Sequence, residues 1–143
     1  MYLLASRERV RVRGPVVLAC GPMKHAPGFL RLVDEARPRV REISIEEARQ
    51  VLNSDPRVVL LDVREDSEWS AGHAKGAVHL GKGVLERDLE SRFPDPNTRF
   101  IMYCGGGYRS VLTCDVAQRL GYQNVSSLAG GYKAILAAGW PLE

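Results

Sequence analysis

Residues 99–110 read "RFIMYCGGGYRS". Phe100, Ile101, Met102 and Tyr103 form an unbroken apolar run, as expected of a strand covered on both faces. Three glycines follow Cys104 directly, and Ser110 to Leu120 then has a helical pattern stopped by Gly121. Consecutive glycines cost backbone entropy, so they make physical sense where the chain needs unusual dihedrals or close approach to a ligand. The stretch predicts a strand, a tight loop and a helix, with Cys104 at the carboxyl end of the strand.

Elements of the same two kinds alternate on either side. "RVVLLDV", residues 57–63, is a second buried strand; Val40 to Ile43, Ala77 to Leu80 and "NVSSL", residues 124–128, supply the others. Helices are expected from Pro27 to before Pro38, from Ser44 with a Ser44/Glu47 capping box, over 84–92, and in "YKAILAAG", residues 132–139, ended by Gly139 and Pro141. This alternation predicts an α/β fold: a mostly parallel central sheet of about five strands with helices on both faces. Ligands in such sheets bind outside the carboxyl ends of the strands. Cys104 lies past one such end and Asp62-Val63-Arg64 past another.

The chain has 143 residues, 45% hydrophobic and 26% charged, which suits one domain with one core. Its net charge of +3 is uneven: residues 1–41 hold nine Lys or Arg against three Asp or Glu, leaving eleven against fourteen in residues 42–143. That basic front end lacks interleaved aromatics and any recognised binding motif, so nucleic acid is not an expected partner. The apolar runs are too short for a bilayer span, and the N-terminus lacks a secretory apolar segment, so no membrane partner and a cytoplasmic location are expected. Cys20, Cys104 and Cys114 are odd in number and form no C-x-x-C pair, which argues against a disulfide framework or a zinc site. Neither metal nor cofactor is expected. Three segments follow: an extension over 1–22 of unclear role, which reads as a short strand, an arm or sequence upstream of a start at Met23; a helical segment over 23–41; and the main domain over 42–143.

A loop running from a strand end into a helix start turns successive backbone N–H groups inward, and the helix adds about half a positive charge. Such a nest favours an anion. Cys104 at its base, with Arg109 closing the ring, has the setting of an activated thiolate nucleophile. The bland alternative is a small buried cysteine beside a tight turn. The coincidence of Cys, three Gly, Arg and a strand–loop–helix context favours the functional reading.

The chain resembles the single-domain rhodaneses in three places. "LLDVREDSEWSAGHAKGAVHL" is similar to their Asp-Val-Arg-Glu and Gly-His segment, "YCGGGYRS" to their active loop, and "LAGGYKAILAAGWPLE" to their closing Gly-Gly and Gly-Pro pattern, together about residues 42–143. Ala74 stands where an Ile is usual. The resemblance implies a rhodanese-type, thiosulfate-using sulfurtransferase in which Cys104 is catalytic and becomes a persulfide. Its implied partners are a small sulfane-sulfur donor and a thiol or cyanide acceptor, or else a protein acceptor of the sulfur. The binding loop falls on Gly105, Gly106, Gly107, Tyr108, Arg109 and Ser110, whose amides would hold the added sulfur.

Asp62, Arg64 and His73 are candidate supporting residues: the first two either orient the site or brace the strand ends, and His73 is a general base or a structural residue of the Gly-His segment. Tyr108 either borders the mouth or packs on the loop. Cys114 either resolves the persulfide or sits in the core beside Leu112, Val116 and Leu120; Cys20 would carry sulfur onward only if its segment folds back. Trp69 and Trp140 read as packing residues. Two rivals stand beside this reading. One is a persulfide carrier or binding module; the other is a cysteine phosphatase or arsenate reductase. Against the second, four residues separate Cys104 from Arg109, where the related phosphatase loops have five.

Overall fold

The computed structural model describes residues 25–143. The chain divides into two units, Met1–Leu30 and Arg31–Glu143; of the first, residues 25–30 are described. Expectations for residues 1–22, Cys20 among them, lie outside the described residues.

In chain order the elements are α1 (Pro27–Ala36), a 3-10 turn (Arg37–Arg39), β1 (Arg41–Ile43), α2 (Ile45–Ser54), β2 (Val59–Asp62), α3 (Asp66–Ala71), β3 (Val78–His79), α4 (Lys82–Arg92), β4 (Phe100–Tyr103), α5 (Arg109–Arg119), β5 (Val125–Leu128) and α6 (Gly131–Ala137). The five strands form one sheet in the order β1-β5-β4-β2-β3. All four pairings are parallel, and Asp62 sits opposite Tyr103 at the carboxyl ends of β2 and β4. The α/β fold read from the sequence is the one observed.

β4 runs through the middle of the sheet and all four of its residues are buried. Side chains alternate across a strand, and β4 feeds both faces. Ile101 and Tyr103 join Ile43, Ala48, Leu60, Leu128, Ile135 and Trp140 in a core under α2 and α6. Phe100 and Met102 turn to the opposite face, where α5 lies on β4 and β5 and α4 lies on α5. There Phe100 meets Phe93 and Tyr122 edge-on, at ring separations of 5.0 and 5.5 Å.

Two local readings change. The strand expected over Ala77–Leu80 is only two residues long and lies at the edge of the sheet. The Ser44/Glu47 box is half formed: Ser44 Oγ accepts the Glu47 N–H at 3.1 Å, but the Glu47 carboxylate turns to Arg41 at 2.6 Å. An ion pair has outcompeted the reciprocal cap.

The tightest backbone contact in the sheet's carboxyl end joins the start of α6 to the residues after β4. Tyr132 N–H donates to the Cys104 carbonyl at 2.7 Å and Lys133 N–H to the Gly105 carbonyl at 3.1 Å. Gly131 has φ +53°, and a Cβ there would stand 2.4 Å from the Cys104 oxygen, which leaves no room for any side chain. Gly131→Ala is therefore expected to cost about 2–4 kcal/mol in urea unfolding. Gly83→Ala, on an α4 position facing open space, is expected to stabilise by about 0.5–1 kcal/mol. Similar midpoints for the two variants would show that α6 does not clamp the loop.

Candidate active site

Cys104 is the first residue beyond β4 and is 1% exposed. Its Sγ accepts the N–H of Gly107 at 3.2 Å and of Ser110 at 3.3 Å, and lies 3.5 Å from Ser110 Oγ. Ser110 Oγ is in turn tied to Ser127 Oγ of β5 at 2.7 Å. The sulfur thus faces the first turn of α5, where unpaired amides and the helix dipole favour negative charge. Two amide donors and a buried hydroxyl converge on it, the arrangement that holds a thiolate or an anion attached to it.

Arg109 opens α5, but it does not close the ring onto loop carbonyls. Its guanidinium makes two parallel bonds to Glu68 of α3, Nη1 to Oε1 at 2.7 Å and Nη2 to Oε2 at 3.1 Å. Glu68 Oε1 also accepts the Glu65 N–H at 3.1 Å, which fixes the carboxylate at the start of α3. The Arg109 guanidinium holds the Glu68 carboxyl down to about 2, against an ordinary 4.5. The sequence reading missed Glu68. Its signal was the acidic residue four positions after Arg64, whose partner 41 residues away no local pattern names.

The three glycines do different things. Gly107 has φ +98°, and a Cβ on it would press on the Gly130 backbone nitrogen at 3.1 Å. At Gly105 a Cβ would stand 3.0 Å from Arg109 Nη2, so that glycine lets the guanidinium lie across the loop. Gly106 meets nothing closer than the Tyr108 ring at 3.9 Å. Tyr108 itself is half-buried, with the Arg37 guanidinium 5.5 Å from its ring centre.

Among the supporting candidates, Asp62 and Arg64 form a buried pair at 2.8 Å. Arg64 also donates to the Gly72 carbonyl at 2.7 Å and stacks 4.1 Å over the Tyr132 ring. That places it as a brace between β2, α3 and α6. Tyr103, whose hydroxyl accepts the Ala74 N–H at 3.2 Å, lies under the same brace, and burial pushes its hydroxyl pKa up. His73 faces elsewhere: its ring stacks on Trp69 at 3.3 Å, its Nδ1 meets the Trp69 carbonyl at 2.9 Å, and its backbone pairs with Glu143. Its contacts are those of a structural residue rather than a base at Cys104. Cys114 is fully buried in α5, and burial pushes its thiol pKa far up, so it is a core thiol. Trp140 is in the core and Trp69 lies between His73 and His79.

A family model described as Rhodanese-like domain matches residues 44–138. The chain belongs to the rhodanese-like domain family. YtwF of Bacillus subtilis (strain 168), provisionally assigned as a sulfurtransferase, is 30% identical over 95 residues, 66% of this chain and 89% of that protein. In longer curated relatives the match covers half of the protein or less, among them a second Bacillus subtilis protein, YrkF, provisionally assigned as a sulfur carrier. Among solved structures, RPA3614 of Rhodopseudomonas palustris, a protein of unknown function described as a possible tyrosine phosphatase, superposes with a TM-score of 0.73 at 29% identity, over 86% of this chain and 99% of its own. The human single-domain sulfurtransferase TSTD1 superposes with a TM-score of 0.62 at 27% identity, over 68% of this chain and 96% of its own.

Two outcomes follow for this rhodanese-like loop. Gly107→Ala is expected to lower stability by about 1–3 kcal/mol and disturb alkylation of Cys104, while Gly106→Ala stays within about 1 kcal/mol of the parent in urea unfolding. Loss in both variants would mean that the loop tolerates no side chain anywhere. The Glu68–Arg109 pair supplies acid-sensitive stability. The folded carboxyl titrates below the unfolded one, so the contribution is complete above pH 4.5 and disappears as pH falls to about 2. Glu68→Gln, at a half-exposed site, should cost roughly 0.5–1 kcal/mol at pH 7. The gap between the two proteins should close over that window in acid-unfolding curves.

Proposed function

We propose that the protein is a sulfurtransferase that moves sulfane sulfur from a small donor such as thiosulfate to a thiophilic acceptor, cyanide or a thiol, through a persulfide on Cys104. The observation that carries this reading is the pair of amides, Gly107 and Ser110, aimed at the Cys104 sulfur from a strand end into a helix start. Membership of the rhodanese-like family and its sulfurtransferase relatives support the general class.

In the first step the Cys104 thiolate attacks the outer sulfur of thiosulfate. The sulfur–sulfur bond breaks, sulfite leaves with its electron pair, and Cys104 carries one additional sulfur as a persulfide anion. In the second step the acceptor attacks that terminal sulfur and the electron pair of the broken bond returns to Cys104 as thiolate. Gly107 N–H and Ser110 N–H point to the Cys104 sulfur and favour its thiolate, and the loop from Gly105 to Ser110 around it is the natural holder of the terminal sulfur. Asp62 and Arg64 keep the neighbouring strand end in place and touch no reacting atom in this scheme.

A phosphatase reading draws on the likeness to RPA3614. It is disfavoured by Arg109, whose fork is taken by Glu68 and is not presented to phosphate oxygens. Intact-protein mass after exposure to thiosulfate is expected to rise by one sulfur in the parent and in Cys114→Ser, and to stay unchanged in Cys104→Ser. Cyanide should then restore the starting mass. Hydrolysis of an aryl phosphate faster than sulfur uptake would move the protein to the phosphatase class.

A further inference from the structure

The side chain that overhangs the loop is a cation whose charge and hydrogen-bonding geometry are both already used. Arg109 Nη2 lies over Gly105, where even a Cβ would come within 3.0 Å of it, and Glu68 Oε2 is 3.9 Å from the same point. Both amide bonds at Cys104 end on the sulfur itself. The Cys104 sulfur also acts on Arg109 electrostatically, which puts the Arg109–Glu68 pair within reach of the far end of a donor bound there. To use the Arg109 fork, the sulfonate oxygens of thiosulfate must break two bonds of 2.7 and 3.1 Å and push aside a carboxylate also held by the Glu65 N–H. The other charges nearby do not offset this. Arg64, which interacts with Glu68 electrostatically, is committed to Asp62, and Glu65 adds negative charge facing Arg109. Arg37 beside Tyr108 pairs with Glu42 at 2.7 Å.

We propose that Glu68 is a specificity-determining residue that disfavours doubly charged sulfur donors such as thiosulfate, whose far end is an anionic sulfonate, and selects donors whose far end is uncharged, such as thiosulfonates and organic persulfides. This rests on the sulfur-transfer reading of Cys104. The chemistry at the sulfur is the same for both donor classes: attack on the outer sulfur leaves the persulfide on Cys104 and expels sulfite from thiosulfate, a sulfinate from a thiosulfonate or a thiolate from an organic persulfide. Only the charge brought against Glu68 differs, which is a matter of discrimination rather than of bond making.

The test is kcat/KM for thiosulfate and for benzenethiosulfonate, with cyanide as acceptor, in the parent protein, Glu68→Gln and Arg109→Gln. Glutamine keeps one of the two acceptors that the Arg109 fork uses while removing the negative charge. In Glu68→Gln the thiosulfate-to-thiosulfonate ratio is expected to rise about fivefold or more, and in Arg109→Gln, which leaves the carboxylate unbalanced, to fall by a similar factor. A loss of fold or a general loosening would lower both rates together and leave the ratio in place. A ratio within about twofold of the parent in Glu68→Gln, with both donors turned over, overturns the role of Glu68 and leaves sulfur transfer standing; a rise in Arg109→Gln does the same. Should neither donor put sulfur on Cys104 of the parent protein, the sulfur-transfer reading falls and this inference with it.

Discussion

The carbonyl of Cys104 accepts the Tyr132 N–H at 2.7 Å, and no side chain fits between them at Gly131. This backbone-to-backbone seal fixes where β4 ends and the loop begins. With the carbonyls of Cys104 and Gly105 held by α6, the chain after them must turn back within four residues to enter α5. That turn brings the amides of Gly107 and Ser110 onto the sulfur. Gly107 closes against Gly130 from the other side. Two segments about 25 residues apart in the chain thus meet through main-chain atoms alone, and the position of the thiol depends on their lacking side chains.

Around that seal, arginine–carboxylate pairs set the shape of the mouth. Arg64 with Asp62 is fully buried and ties three elements together, while Arg109 with Glu68 is half-exposed and lies over the loop. The first is costly to break because removing one partner strands a buried charge. The second is weaker in stability but stands where a donor arrives, so its charge balance bears on chemistry more than on folding. The same residue type therefore does structural work at one strand end and governs access at the next.

The sheet was legible because β4 and β2 are apolar without alternation, which only burial on both faces allows. "FIMY" and "VLLD" are indeed interior strands, and the family resemblance over about residues 42–143 agrees with the architecture observed. β3 is shorter than its apolar run suggests, because the Ala77 N–H turns back to the Ala74 carbonyl at 3.1 Å instead of joining the ladder. The Ser44/Glu47 box was half right, since Glu47 had a stronger partner in Arg41, which no local pattern weighs. Likewise, the three glycines looked equivalent in the sequence. Their different roles depend on Gly130 and Arg109, which come from other parts of the fold.

By itself the sequence determined the alternation of strands and helices, the place of Cys104 at a strand end, and the glycine-rich entry to α5, because hydrophobic period and turn chemistry are local properties. Only the tertiary structure decided what Arg109 does. Its charge read as a lid for an anion nest, yet α3 delivers Glu68 to its fork at 2.7 Å. Which carboxylate meets which guanidinium is settled by how helices pack on the sheet, and that is information carried by contacts between distant residues rather than by any stretch of chain.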